Sequence, residues 1–159
     1  MLRIVAAVAA LAVGATVVYA QNADAIKQRR QVMRDIVKSD TGEVFKMTKG
    51  ELPFDLVKVQ GLLATVQTEM PKLKTLFPDN SKEGNTGALA KIWSDRAGFD
   101  AAVDTFAGIA KAAAGAIKDE ASFKAEYGKV GSGCGACHKA TDGYTSNLGE
   151  SFKSMRDPL

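Results

Sequence analysis

Both cysteines and the sole histidine of this 159-residue chain fall in one run, Cys134-Gly135-Ala136-Cys137-His138. The C-x-x-C-H spacing reads as covalent attachment of a c-type haem, in which each thiol adds across one vinyl group and the adjacent imidazole meets the iron as proximal ligand. This constrains the fold severely. A flat apolar macrocycle pinned near the C-terminus has to be enclosed by the helices or strands that precede it. Two other chemistries compete for the motif. Structural zinc wants four ligands, and the run supplies fewer, with no second cluster elsewhere. A thioredoxin-type redox pair belongs to a βαβ pattern, which this chain lacks.

The N-terminus reads as an export signal. Arg3 gives a positive start, Ile4 to Val18 is apolar apart from Gly14 and Thr16, and Val18-Tyr19-Ala20 fits the small-x-small cleavage rule. Residues 1–20 are therefore expected to be removed, leaving 21–159 as one domain. The apolar run is shorter than the roughly 20 residues that span a bilayer, so no stable membrane span is expected after cleavage. The expected location is the periplasm. Outside the cytoplasm a lone cysteine pair is a disulfide, a redox motif or a haem site. A formal charge of +3, with no basic stretch interleaved with aromatics, argues against a nucleic-acid partner.

The rest of the chain carries helical periodicity in four segments, and none reads as a strand. The first runs from about Asp24 to Met47, with Ile26, Val32, Met33, Ile36, Val37, Val44 and Phe45 on its apolar side. Gly42 is the expected bend, and Gly50 with Pro53 the end. Asp55 is the expected N-cap of the second helix. Its stripe Leu56, Val59, Leu63, Val66, Met70 and Leu73 advances by alternating threes and fours, with a kink expected at Pro71. The stretch 78–87 is rich in breakers and reads as a loop. Ser94 is the expected cap of the third helix, whose stripe is Phe99, Val103, Phe106, Ala110, Ala113 and Ile117. The fourth starts after Asp119 or Glu120 and steps through Phe123, Tyr127, Val130, Cys134 and Cys137. Both cysteines thus share the stripe that faces the other helices, and the haem inserts inward. Gly128, Gly131, Gly133 and Gly135 crowd this helix at roughly 1 kcal/mol each against alanine. The expectation is that they let the macrocycle approach the backbone; helix–helix close packing is the other explanation.

No second histidine exists, so a distal ligand from this chain would be a methionine. Met33, Met47, Met70 and Met155 are the candidates in the mature chain, although most buried methionines merely fill gaps. Arg29 and Arg30, close to Met33, are candidates for contact with haem propionates, or simply belong to a solvated face.

Three stretches besides the haem motif carry a family resemblance: Arg29-Arg30-Gln31-Val32-Met33-Arg34; Lys49-Gly50-Glu51-Leu52-Pro53-Phe54-Asp55; and Ile92-Trp93-Ser94-Asp95 with Phe99. With these the chain resembles the class II c-type cytochromes, cytochrome c′ and its low-spin relative cytochrome c-556. The resemblance implies an all-α antiparallel four-helix bundle with one covalent haem c and its iron, held by Cys134, Cys137 and His138. It also implies two functional outcomes. Arg29 standing four residues before Met33 resembles the c-556 arrangement, in which the methionine is the distal iron ligand and the protein is a single-electron carrier rather than an enzyme. In the c′ arrangement the iron is five-coordinate and high-spin and takes up NO or CO, with Val32, Ile36 and Phe45 lining or shielding the gas pocket. Redox proteins of the periplasm are the implied partners, and the protein is expected as a monomer or a homodimer.

Overall fold

The computed structural model describes residues 23–139 and 142–146; the expected signal peptide and Met155 lie outside them. Six helical segments make the bundle: α1 (23–36), α2 (Gly42–Thr48), α3 (Leu56–Glu69), α4 (Lys91–Ser94), α5 (Arg96–Ala116) and α6 (Glu120–Cys137). Segments α1 and α2 together form the first long arm. The second arm is α3 with a 3₁₀ extension, Met70–Thr75. Helix α4 is a single turn leading into α5. The result is the all-α four-helix architecture.

The first arm breaks at Ser39 and Asp40 rather than at Gly42. Asp40 sits in the left-handed region at φ 65°, whereas Gly42 is helical at φ −67°. Aspartate tolerates that region better than most residues. The hydroxyls of Ser39 and Thr41 both donate to the Ile36 carbonyl at 2.6 Å, replacing the helical bond lost there. The arm ends as expected, with Gly50 at φ 72°.

Asp55 caps α3 by accepting from the Lys58 amide at 3.2 Å. At Pro71 the helix tightens to 3₁₀ geometry and continues, since a proline in the first turn has no need of its missing N–H. The cap of α5 is Asp95, not Ser94: its carboxylate accepts from the Gly98 amide at 3.1 Å, while Ser94 closes the preceding turn α4. Asp119 and Ser122 form a reciprocal capping box at the start of α6.

The α5 stripe from Phe99 to Ile117 is buried throughout. It packs against Val59, Leu62, Leu63 and Val66 of α3, and Phe123, Tyr127 and Val130 of α6. Phe54, Phe123 and Tyr127 stack in series, with centroids 5.4 and 5.0 Å apart, and fix the rotation of α6. That rotation turns its C-terminal turn toward the bundle interior. Among the described residues no helix is long and apolar enough to cross a membrane.

Candidate haem site

One cavity of about 180 Å³ opens at the end of the bundle where α6 stops. Protein interiors rarely leave voids larger than a water molecule. This one exceeds the roughly 150 Å³ apolar cavity that takes up benzene in an engineered core. Helix α6 supplies Gly133, Cys134 and Cys137 to its wall, and His138 follows directly. Helix α1 supplies Arg29, Arg30, Met33 and Ile36, and the remaining wall is mostly apolar.

The donor set fits a covalent haem. Cys134 and Cys137 stand on consecutive turns of one helix, both half-buried and unbridged. Burial, and then the proximity of Cys137, push the Cys134 thiol up to about 11; burial also raises Cys137. Reactive redox cysteines are lowered instead, so the pair lacks the thiolate character of an exchange site. His138 is half-buried, and its Nδ1 lies 3.1 Å from the Ser146 carbonyl. A carbonyl only accepts, so Nδ1 carries the proton and Nε2 presents the lone pair that a metal requires. Burial holds the imidazole below its ordinary pKa against the opposing effect of that hydrogen bond, which favours the neutral ligand form.

Met33 and Met70 both line the cavity. Met47 is buried in the core outside it. Arg29 has an occupation its sequence position does not reveal. It is only 4% exposed. Its Nη1 donates to the Leu76 carbonyl (3.2 Å) and the Ser81 hydroxyl (2.9 Å), and its Nη2 donates to the Ser81 carbonyl (2.9 Å) and the Thr86 hydroxyl (2.8 Å). The guanidinium also covers the Phe77 ring at 4.6 Å. Burial lowers its pKa to about 10, leaving it charged at neutral pH. Arg29 thus fastens the 76–86 segment, part of the cavity wall, to α1. Arg30 is half-buried on the same wall.

Two expectations require correction. Phe45 does not shield the cavity: it is 54% exposed, under the Lys49 ammonium, on the arm beyond the non-helical backbone of Ser39 and Asp40, which interrupts the periodicity that aligned it with Met33. Val32 is buried in the core but is likewise not part of the cavity wall. The glycines of α6 do not act together either. A β-carbon on Gly128, Gly131 or Gly135 would meet open space, and only Gly133 is at the cavity, where its close neighbour is Phe106.

The glycines the site does need are elsewhere. A β-carbon on Gly143 would lie 2.5 Å from the Lys139 amide nitrogen, and one on Gly87 would lie 2.6 Å from the Ser146 hydroxyl. Gly143 belongs to a short strap after the haem motif, residues 142–146, which returns over His138, and Gly87 is the point on the preceding loop against which that strap is seated. Sequence reasoning missed it, and no local signal marks it beyond a lone aromatic, Tyr144.

A helical bundle whose helix α6 ends in C-x-x-C-H on the wall of a large apolar cavity defines a c-type haem protein of the bundle class. Comparison with known proteins narrows the class. A profile of the family described as Cytochrome C′ matches residues 24–140, and the chain belongs to that family. Its cofactor is accordingly one covalently bound haem c with iron. The chain is 44% identical to a cytochrome c′ of Rhodopseudomonas palustris over 72% of its own length and 79% of the relative's. It is 33% identical to a cytochrome c-556 of the same organism, over 87% and 95%. The solved cytochrome c′ of Rhodopseudomonas palustris superposes with a TM-score of 0.71 at 40% identity, covering 79% of this chain and 98% of that one.

Proposed function

We propose that this protein is a periplasmic single-electron carrier of the c-556 type, with His138 and Met33 as the two axial ligands. The observation that carries this reading is the place of Met33. It lines the cavity from α1, whereas the cysteines and His138 enter from α6, so the two ligands come from different helices. Arg29, one turn before Met33, is fixed by its hydrogen bonds, and this holds the register of α1 at the cavity.

Haem, when bound, supplies a one-electron ferric/ferrous couple. Cys134 and Cys137 tether it. His138 presents Nε2, oriented through its Nδ1–H. Met33 brings a thioether, a ligand that raises the potential in cytochromes. Ile36, Leu73, Phe77 and Phe106 keep water away. Arg30 takes the propionate contact more readily than Arg29, whose terminal N–H groups already serve protein acceptors. No substrate bond is made or broken, so the protein is not an enzyme in this reading.

A second reading is favoured by the apolar wall and by the relative named cytochrome c′. If Met33 stays off the iron, the site is five-coordinate, and NO or CO enters the pocket beside Ile36. The optical spectrum of the reduced protein, with and without Met33→Ala, separates the two. A low-spin spectrum with sharp visible bands and sluggish CO binding, converted by Met33→Ala to a high-spin form that takes CO readily, is the expected result. A wild-type spectrum that is already high-spin and unchanged by the substitution overturns the carrier and leaves the gas binder.

A further inference from the structure

The strap after the haem motif is held at more points than a surface turn requires. The Tyr144 amide donates to the Cys137 carbonyl at 3.0 Å, and the Leu89 amide donates to the Tyr144 carbonyl at 3.0 Å. The Tyr144 hydroxyl donates to Asp95 at 2.9 Å, and its ring packs edge-on against Phe99. Lys91 donates to the Asp142 carbonyl at 2.7 Å. Two further donors converge on one acceptor: the Thr145 hydroxyl (2.9 Å) and the Ser146 amide (2.8 Å) both reach the Gly87 carbonyl. Ser146 then offers its own carbonyl to His138 Nδ1.

The series extends beyond Gly87. Thr86, its neighbour, accepts from Arg29 and also from the Ala88 amide at 3.1 Å. A continuous path therefore runs from Arg29 on α1 through Thr86, Gly87 and Ser146 to the His138 imidazole. We propose that Thr145 is a positioning residue for the iron–histidine bond. It pins the strap to the Gly87 carbonyl so that the Ser146 carbonyl keeps its hydrogen bond from His138, with Arg29 anchoring the far end of the same path. This rests on the reading of His138 as proximal ligand.

The physical consequence has a definite sign. A carbonyl accepting from Nδ1–H makes the imidazole a stronger donor at Nε2. A stronger donor favours the ferric state and lowers the reduction potential. Loosening the strap weakens the hydrogen bond and moves the potential upward. The Thr145 amide also donates to the Cys137 carbonyl at 3.3 Å, a backbone bond that side-chain substitution leaves in place, so what the hydroxyl adds is the hold on Gly87 and, through it, on Ser146.

The test uses the haem-loaded protein and compares Thr145→Val with Thr145→Ser. Two quantities are read: the reduction potential, and the solvent-exchange rate of the His138 Nδ1 proton followed by NMR. Thr145→Val is expected to raise the potential and to speed exchange about fivefold, the size expected for losing one neutral hydrogen bond. Thr145→Ser, which keeps the hydroxyl, restores both. Unchanged values in Thr145→Val, or equal shifts in both variants, overturn the proposal. Should Thr145→Val fail to accumulate as loaded protein, Tyr144→Phe decides by the same readouts, because it frees the strap at Asp95 and leaves the ring packing intact. The underlying ligand reading fails separately: in that case the wild-type Nδ1 proton of the ferric protein lacks the large paramagnetic displacement of an iron-bound histidine.

Discussion

Gly133 of α6 and Phe106 of α5 leave no room between them: a β-carbon on Gly133 would overlap the Phe106 ring. This contact lets the two helices converge just before the cysteines, and it closes one wall of the cavity, to which both residues belong.

Alanine substitutions along α6 should therefore have opposite signs. Gly133→Ala forces Phe106 aside and should destabilise by about 1–3 kcal/mol. Gly128→Ala adds a methyl to open, exposed helix surface and should stabilise by up to about 1 kcal/mol. Thermal unfolding of the two variants beside the parent checks both. Equal effects would show that the four glycines act alike after all.

Haem attachment is tested by the double substitution Cys134→Ala with Cys137→Ala. Pigment that resists acid-acetone extraction should disappear completely. Covalent haem surviving in that variant would remove the assignment of both residues.

The two methionines of the cavity should separate by readout. Met70 is 3% exposed and part of the core, so Met70→Ala should lower stability by about 2–5 kcal/mol and leave the visible spectrum low-spin. Met33 is half-buried, and its removal should alter the spectrum. A spectral conversion on Met70→Ala instead would keep the coordination class and move the ligand.

Arg29→Met should cost about 3 kcal/mol, because Ser81 and its neighbours lose a buried donor. Arg29→Lys should recover little of this, since one ammonium cannot reproduce the two-pronged geometry that reaches Ser81 and Thr86 together. Chemical denaturation measures both. Full recovery by lysine would mean that charge over the Phe77 ring matters more than the hydrogen bonds.

The α6 cap predicts an acid-sensitive contribution. Hydrogen bonds from Ser122, side chain and then backbone, hold the Asp119 carboxyl below its ordinary 3.8. A depressed carboxylate stabilises the fold above its unfolded pKa, and that contribution disappears as pH falls through the lower folded value. The melting-temperature difference between the parent and Asp119→Ala should be largest near neutrality and shrink below pH 3.8. A difference independent of pH would show that the cap works without its charge.

Much of this was legible in the chain because the signals are local. The caps Asp55 and Asp119 lie within three residues of the amides they satisfy. The stripes of α3, α5 and α6 repeat within single helices, and the haem motif is contiguous. Errors arose where two local signals competed. Ser94 and Asp95 are adjacent cap formers, and only the extra turn α4 selects Asp95. Gly42 looked like the break, yet Asp40 makes it, stabilised by the hydroxyls of Ser39 and Thr41.

The sequence alone determined the cofactor chemistry and the helical class, since both follow from residues a few positions apart and from periodicities that any helix must obey. Tertiary structure decided which glycine packs against Phe106, what Arg29 holds and how His138 is oriented. Each of those depends on residues brought together across the chain: Arg29 with Ser81, Thr145 with Gly87, Tyr144 with Asp95. Such pairings are fixed by how whole helices rotate and stack against one another to bury their stripes, and no local pattern of side chains records that rotation.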